Sequence, residues 1–155
     1  MLNPLSLLRL GNETVERVVA APPATVFDLL ADPSRHREID GSGTVRTAPA
    51  SRLSLGARFT TDMKAGISYQ MVNTVVEFEQ DRRIAWQPRP SVSALTRLIG
   101  GRIWRYELEP APGGTRVRET WDISQEAVPA LIAPLRALTR RNMTRTLDRL
   151  AETVA

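Results

Sequence analysis

The segment that most constrains the fold is GRIWRYELEPAPGGTRVRETWDIS, residues 101–124. Apolar and polar residues alternate in two runs on either side of a Pro-Gly-Gly turn at 112–114, and this pattern is typical of a β-hairpin. One face receives large apolar side chains: Trp104, Tyr106, Leu108, Val117, Trp121 and Ile123. The other face receives charged side chains: Arg105, Glu107, Arg116, Arg118 and Asp122. The hairpin therefore predicts an antiparallel sheet with one solvated face and one face against a core.

Further strands are predicted before the hairpin. Alternation over residues 58–64 indicates a strand with one wet face, and a β-rich run covers residues 14–20. Another run starts at Ile67 and changes phase near Asn73, where we expect a β-bulge or a strong bend. After a polar turn, one more run carries Trp86. These runs fit a single antiparallel sheet.

Helices are predicted at both ends of this sheet. The stretch APPATVFDLLAD, residues 21–32, has a broad apolar helical face and ends before Pro33, because the residue preceding a proline disfavours helical geometry. Residues 34–39 suit a short second helix. Apolar residues recur at three and four spacing over residues 125–154, which predicts one long amphipathic helix. Pro134 should kink this helix or mark its proper start.

Length and composition limit the class of protein. The chain of 155 residues suits a single domain, with a core over residues 13–154 and an N-terminal extension over residues 1–12. It has no cysteine and one histidine, so thiolate zinc sites and a cysteine nucleophile are excluded, and we expect neither a metal nor a cofactor. The first residues lack a secretion-signal pattern, and no apolar stretch is long enough for a membrane span, so we expect a cytoplasmic protein.

The order of these elements resembles the START-like superfamily, also called Bet v 1-like or SRPBCC, and in particular its polyketide cyclase/dehydrase and lipid-transport branch. The resemblance rests on VVAAPPATVFDLLADPSRHREID, VVEFEQDRRIAW, GGTRVRETWDIS and NMTRTLDRLAE. It implies an α+β helix-grip fold, in which a curved antiparallel sheet of about seven strands wraps around a long C-terminal helix and two short helices follow the first strand. It also implies an apolar cavity between sheet and helix. The segment PSVSALTRLIGG, residues 90–101, fits a short apolar helix that would act as a lid over the cavity mouth.

Large side chains on the expected inner face are candidates for lining this cavity. Three tryptophans aimed at one place exceed what a sheet core usually needs. Taken one at a time, each tryptophan is better explained as part of the core. Together they favour a site that encloses a hydrophobic small molecule, such as a lipid, a polyketide or an isoprenoid, for transport or presentation. The ligand-binding candidates are Phe59, Met63, Tyr69, Met71, Trp86, Trp104, Tyr106, Trp121, Leu135 and Met143.

The stretch DPSRHREIDGSG contains His36, the only histidine. Histidine titrates near neutral pH, and two nearby acids could orient the ring for proton transfer. With Tyr69 and Tyr106, His36 is a weak candidate for catalysis by a polyketide aromatase/cyclase-type enzyme that uses the same cavity, so enzyme activity stays open. The favoured interpretation places His36 on a short polar helix in water, at most at the rim of the cavity.

Arginines cluster on the predicted C-terminal helix. Arg141, Arg145 and Arg149 follow i, i+4 spacing and could meet phosphates of an anionic membrane or of a nucleic acid. A solvated helix face explains the same spacing. No aromatic residues interleave with these arginines, as single-strand stacking would require. A nucleic-acid partner is therefore not expected, while peripheral membrane contact stays an alternative.

Overall fold

The computed structural model describes residues 11–48, 51–91 and 98–155. Within these ranges seven strands form one antiparallel sheet in the order β1-β7-β6-β5-β4-β3-β2, so the first strand lies beside the last. The strands are β1 Glu13–Val19, β2 Val45–Thr47, β3 Arg58–Ala65, β4 Ile67–Glu79, β5 Arg83–Pro90, β6 Ile103–Ala111 and β7 Gly114–Asp122. The predicted hairpin is confirmed as β6 and β7.

Short helices follow the first strand, and the long one closes the chain. Helix α1 covers Pro23–Leu30, and a 3-10 turn at Pro33–Arg35 runs into α2, His36–Ile39. After β7 come α3, Pro129–Ile132, a 3-10 turn at Ala133–Leu135, and α4, Arg136–Val154. The proline at position 134 lies in that turn, and α4 begins two residues later, because proline cannot donate the backbone hydrogen bond that an α-helix interior requires.

The core lies between the concave face of the sheet and the helices. Helix α4 packs on β1 and on α2, with further contacts to β7 and α1. It buries Met143, Leu147 and Leu150 against the sheet, while α1 buries Val26, Phe27, Leu29 and Leu30. A sheet that curls around a C-terminal helix in this way confirms the predicted α+β helix-grip architecture.

Charged side chains fasten α4 to the first strand and to the loop after α2. The Glu13 carboxylate on β1 accepts hydrogen bonds from Arg136 at 2.8 Å and from Arg140 at 2.9 Å. Arg17 pairs with Asp148. Arg149 donates to the backbone oxygen of Asp40 at 2.6 Å, so this arginine takes part in the fold. All three arginines of the predicted row are exposed, and Arg141 and Arg145 are the two for which no such bond to the fold is seen among the described residues.

The bulge in β4 lies slightly beyond its predicted position. The register with β5 shifts between Val75 and Glu77, and Val76 is 36% exposed on the outer side. Asn73 and Val75 are buried on the inner face, and Phe78 takes over that face after the shift. The sequence misplaced the bulge because a polar residue, Asn73, points inward.

Some expectations fall on residues that the structure does not describe. Residues 1–10, within the expected N-terminal extension, and residues 92–97, within the expected lid, lie outside the described ranges. Leu98 and Ile99, at the end of the expected lid, are helical. Among the described residues, no helix combines the length and apolarity that crossing a membrane requires.

Candidate functional site

The strand register places all three tryptophans on the concave face of the sheet. Trp86 lies opposite Trp104 across β5 and β6, and Trp104 lies opposite Trp121 across β6 and β7. Directly opposite residues of antiparallel strands project to the same side, and Trp121 is 1% exposed in the core. Trp86 and Trp104 pack against the core but are only partly buried. The concave face is therefore aromatic and partly open to solvent.

A row of stacked rings runs from α2 across the sheet. The His36 ring lies 4.8 Å from the Trp86 ring at an interplanar angle of 17°, and Trp86 lies 5.5 Å from Tyr106 at 29°. Phe59 of β3 meets Trp86 edge-on at 5.9 Å. Such aromatic pairs add about 1 kcal/mol each beyond the area that they bury. The row joins α2, β3, β5 and β6 in one rigid aromatic surface.

His36 belongs to this row, and its expected place in water is wrong. Its side chain is 8% exposed, and Nε2 donates to the backbone oxygen of Leu30 at 2.8 Å. A carbonyl oxygen only accepts, so Nε2 must carry the hydrogen. Burial lowers the pKa of His36, since desolvation outweighs the hydrogen bond to Leu30 and the nearby acids, which raise it. His36 is thus a neutral core residue rather than a residue of the rim.

The two acids near His36 in sequence have other partners. Glu38 pairs with Arg35 at 3.0 Å on the surface. The Asp40 carboxylate accepts hydrogen bonds from the backbone nitrogens of Ser42 and Val45 at 3.0 and 2.9 Å. Neither acid orients the imidazole, because the helical turn of α2 directs the ring into the core instead. His36 therefore lacks the carboxylate partner that a general base of this kind would use.

A buried acid faces the interior beside the tryptophans. Glu119 on β7 is 2% exposed, and its Oε1 accepts a hydrogen bond at 3.0 Å from the hydroxyl of Tyr106, which lies opposite it on β6. Desolvation raises the pKa of Glu119 to about 8, with a further increase from Asp40, while the hydrogen bond from Tyr106 lowers it. Burial also raises the pKa of the Tyr106 hydroxyl. At neutral pH both groups are uncharged.

Two buried polar atoms on β7 have no hydrogen-bond partner among the residues that the structure describes. They are Oε2 of Glu119 and Nε1 of Trp121. Folded proteins pair nearly all buried polar groups, so two unpaired ones on one strand face are unusual. This strand face combines apolar rings with unused hydrogen-bonding groups, which is the composition of small-molecule sites.

Sequence reasoning missed Glu119, although the signal was present. Strict alternation places it between Val117 and Trp121 on the apolar face of the hairpin. Its neighbours along this face of the strand are apolar. A carboxyl group there, directly opposite Tyr106, is an exception that needs a chemical explanation. The hairpin that supplies Trp104, Tyr106 and Trp121 thus also contains a buried acid with a strongly raised pKa.

The remaining ligand-binding candidates lie in different parts of the fold. Phe59 and Met143 are buried in the core, while Met63 and Met71 are half-buried on β3 and β4. Tyr69 is 37% exposed near the start of β4, away from His36 and Tyr106 in the ring row, and Leu135 is exposed before α4. The predicted set divides into an inner group around the tryptophans and an outer group. The three weak catalytic candidates do not form one cluster.

Asn73 is satisfied within the sheet. Its amide nitrogen donates to the hydroxyl of Thr61 at 2.9 Å and to the backbone oxygen of Phe59 at 3.1 Å. All three residues are buried. These hydrogen bonds explain why a polar side chain lies on the inner face of β4, and they give it a structural role.

Two of the clefts on the surface of the described residues have volumes of about 250 Å³ each. One lies between residues 15–17 of β1 and residues 144–148 of α4. The other is lined by charged side chains at the turns of β4–β5 and β6–β7. Neither cleft includes a tryptophan. Over the described ranges, no three histidine or carboxylate side chains come together in a way that would hold a metal ion.

Known proteins resemble the chain in sequence. The family described as Polyketide cyclase / dehydrase and lipid transport matches residues 13–155. The uncharacterized protein Rv0088 of Mycobacterium tuberculosis (strain ATCC 25618 / H37Rv) is 41% identical over 109 residues, which are 67% of this chain and 44% of that protein. The chain therefore matches less than half the length of this curated relative.

Solved structures share the fold at low sequence identity. Protein CV1439 from Chromobacterium violaceum superposes with a TM-score of 0.72 at 17% identity, over 93% of this chain and 96% of that one. The AHSA1-like protein from Aeromonas hydrophila superposes with a TM-score of 0.65 at 19% identity, over 92% and 93%. Both likenesses show the shared fold. The sequence match over residues 13–155 establishes that the chain belongs to the family described as Polyketide cyclase / dehydrase and lipid transport, the predicted branch of the START-like superfamily.

Proposed function

We propose that the chain binds a hydrophobic small molecule between the concave face of the sheet and α4, and that it transports or presents this molecule. The observation that carries the proposal is the set of three tryptophans on that face, of which Trp86 and Trp104 are partly open to solvent. The open parts of these rings are apolar surface whose removal from water would stabilise the protein, since each ångström squared gains about 25 cal/mol. A bound apolar molecule would cover the open parts of both rings.

The rigidity of the aromatic row supports the same proposal. Because His36, Trp86 and Tyr106 stack on one another, their orientations are fixed before any ligand arrives. A pre-formed surface loses little side-chain entropy on binding, which favours affinity. The exposed Arg141 and Arg145 on α4 offer peripheral contact with an anionic membrane as a route of delivery for a lipid.

A polyketide aromatase/cyclase-type enzyme is the second candidate. It is favoured by the buried Tyr106–Glu119 pair, because a carboxyl group with a pKa near 8 is suited to giving or taking a proton at neutral pH. His36 contributes less to this alternative than the sequence indicated, since the carbonyl of Leu30 already accepts its Nε2 hydrogen. The binding protein is preferred because its evidence involves the whole concave face.

Mass spectrometry tests the proposed binding. We expect protein purified from its native host to release an apolar small molecule on denaturation, in an amount of the same order as the protein. The Trp104→Leu variant, which removes a partly open ring from the concave face, should release several-fold less. Val76→Ala is the matched control, since Val76 lies on the outer face of the sheet.

Two results would count against this proposal. The first is a native protein that releases no apolar molecule and takes up none of a panel of lipids and aromatic ketones. The second is an equal loss of bound molecule in Trp104→Leu and Val76→Ala, which would place the molecule away from the concave face. Circular dichroism of both variants shows whether either change has unfolded the protein.

A further inference from the structure

We propose that Glu119 and Trp121 form a pair of hydrogen-bond donors that holds an uncharged carbonyl oxygen of the ligand, so that the ligand class is a hydrophobic ketone or ester rather than a hydrocarbon. This inference rests on the proposed function, which it deepens by assigning the polar part of the ligand. It goes beyond the apolar lining, because a tryptophan-lined surface alone does not distinguish a carbonyl compound from a hydrocarbon.

Position on the strand brings the two donors together. Glu119 and Trp121 are two residues apart on β7, so their side chains leave the same face about 7 Å apart at the backbone. Both side chains are almost completely buried, and over residues 11–48, 51–91 and 98–155 neither Oε2 of Glu119 nor Nε1 of Trp121 has a hydrogen-bond partner. Two side chains of this length can converge on one oxygen atom that lies between the sheet and α4.

The hydrogen-bonding pattern determines which oxygen of Glu119 is the donor. The hydroxyl of Tyr106 donates to Oε1, so Oε1 acts as the carbonyl oxygen of the acid. The proton of the neutral carboxyl group then lies on Oε2, the atom without a partner. The indole Nε1 of Trp121 is always a donor. Both unpaired groups are therefore donors, and the atom that satisfies both is an acceptor.

The surroundings of Glu119 favour its neutral form. Tyr106 faces it from β6, Val15 lies opposite it on β1, and Asp40 acts on it from the loop after α2. Burial and the negative charge of Asp40 both raise the pKa of Glu119, whereas the hydrogen bond from Tyr106 lowers it. A neutral donor pair suits a ketone or ester oxygen. A carboxylate ligand would add a second negative charge beside Asp40.

A matched pair of probes tests this assignment. Fluorene and 9-fluorenone have the same tricyclic carbon frame. Where fluorene has a CH₂ group, 9-fluorenone has a carbonyl group. By equilibrium dialysis, the wild-type protein should bind 9-fluorenone about tenfold more tightly than fluorene, as expected for a buried hydrogen bond gained. Glu119→Leu should lose this preference, because leucine cannot donate to the ketone. Glu119→Gln should keep most of it, because the amide can accept from Tyr106 and donate to the ketone.

The control variant is Glu107→Leu. Glu107 lies on β6 and pairs with Arg83 at 3.0 Å on the outer face of the sheet, so its loss should leave the preference unchanged. A second readout does not depend on any variant: the infrared carbonyl band of bound 9-fluorenone should shift to lower wavenumber in the wild-type protein. This readout keeps the test decisive where Glu119→Leu fails to fold.

The outcomes separate this inference from the proposed function. Binding of neither probe contradicts the proposed function and the inference with it. Equal binding of both probes to the wild type, with an unshifted carbonyl band, overturns the inference alone and assigns the two donors to a buried water molecule. A preference that survives in Glu119→Leu also overturns it, because the oxygen is then held by other groups.

Discussion

The Gly41→Ala variant is expected to lose about 3 kcal/mol of stability or more, which is the upper range for overpacking a core. A Cβ atom at this position would lie 2.1 Å from the backbone oxygen of Asn142 and 2.7 Å from the backbone nitrogen of Thr146. Both atoms belong to α4, and a helix backbone cannot move aside as a flexible side chain can. The backbone nitrogen of Gly41 also donates to the Thr146 hydroxyl at 3.0 Å. Urea unfolding measures the loss.

The contact between Gly41 and α4 also matters for the candidate site. Gly41 follows α2, the helix that contains His36, and it holds this segment against α4. Forcing this contact apart should also loosen the stack of His36 on Trp86 and shift tryptophan fluorescence to longer wavelength. Gly43→Ala is the control: nothing lies within 4 Å of its added Cβ, although its φ of +70° makes alanine cost about 1 kcal/mol. Equal losses of stability in the two variants would show that the requirement for glycine at position 41 comes from backbone conformation rather than from contact with α4.

The Glu119→Gln variant should be more stable than the wild type at neutral pH. The pKa of Glu119 is raised from 4.5 to about 8, so between these values the folded protein keeps a proton that the unfolded chain releases. The contribution of Glu119 to the stability of the wild type therefore falls as pH rises from 4.5 to about 8 and levels off above that. At pH 7 the accumulated cost is about 3 kcal/mol. Glutamine avoids it, because the amide is uncharged in both states and can still accept from Tyr106.

Urea unfolding of both proteins at several pH values tests this prediction. The two should have similar stability near pH 4.5, and the difference should grow in favour of glutamine up to pH 8. Glu107→Gln serves as control and should bring no gain, since it removes the partner of Arg83 on the outer face. Parallel pH profiles for the wild type and Glu119→Gln would mean that Glu119 is already ionised in the folded protein.

A gain in stability on replacing Glu119 would also have a meaning for function. An uncharged amide or an apolar residue would serve the fold better at this position, so the buried acid costs stability that the fold alone does not require. Such a cost is common where a group is held ready for a ligand or a reaction. This connects the stability prediction with the donor pair, although each is measured separately.

Sequence patterns were sufficient to predict the helices and strands and most of the side chains on the inner face of the sheet. The alternation around the Pro-Gly-Gly turn predicted β6 and β7 and placed Trp104 and Trp121 correctly, because a period of two residues leaves only two faces. The start of α4 after Pro134 followed from the missing backbone donor of proline. These features depend on residues that are close together in the chain.

The errors have one physical cause, which is contact between distant parts of the chain. His36 looked solvated because its neighbours in sequence are charged, yet α2 packs against α4 and the ring stacks on Trp86 of β5. A bulge was expected near Asn73 because the apolar residues change phase there, yet Thr61 on β3 satisfies Asn73 on the inner face and the register shifts only after Val75. Glu119 is different, because the alternation around the hairpin turn already places it on the apolar face, where the register sets it opposite Tyr106.

The central claim, a ligand held against the tryptophan face, is tested most directly by fluorine NMR. With 5-fluorotryptophan in place of tryptophan, the protein should show three resonances, which Trp→Phe variants assign to Trp86, Trp104 and Trp121. Addition of 9-fluorenone should shift the resonances of Trp86 and Trp104, whose rings are partly open, and should also move that of Trp121 where its Nε1 engages the ketone. Three resonances that stay in place while dialysis shows the probe to be bound would contradict the account.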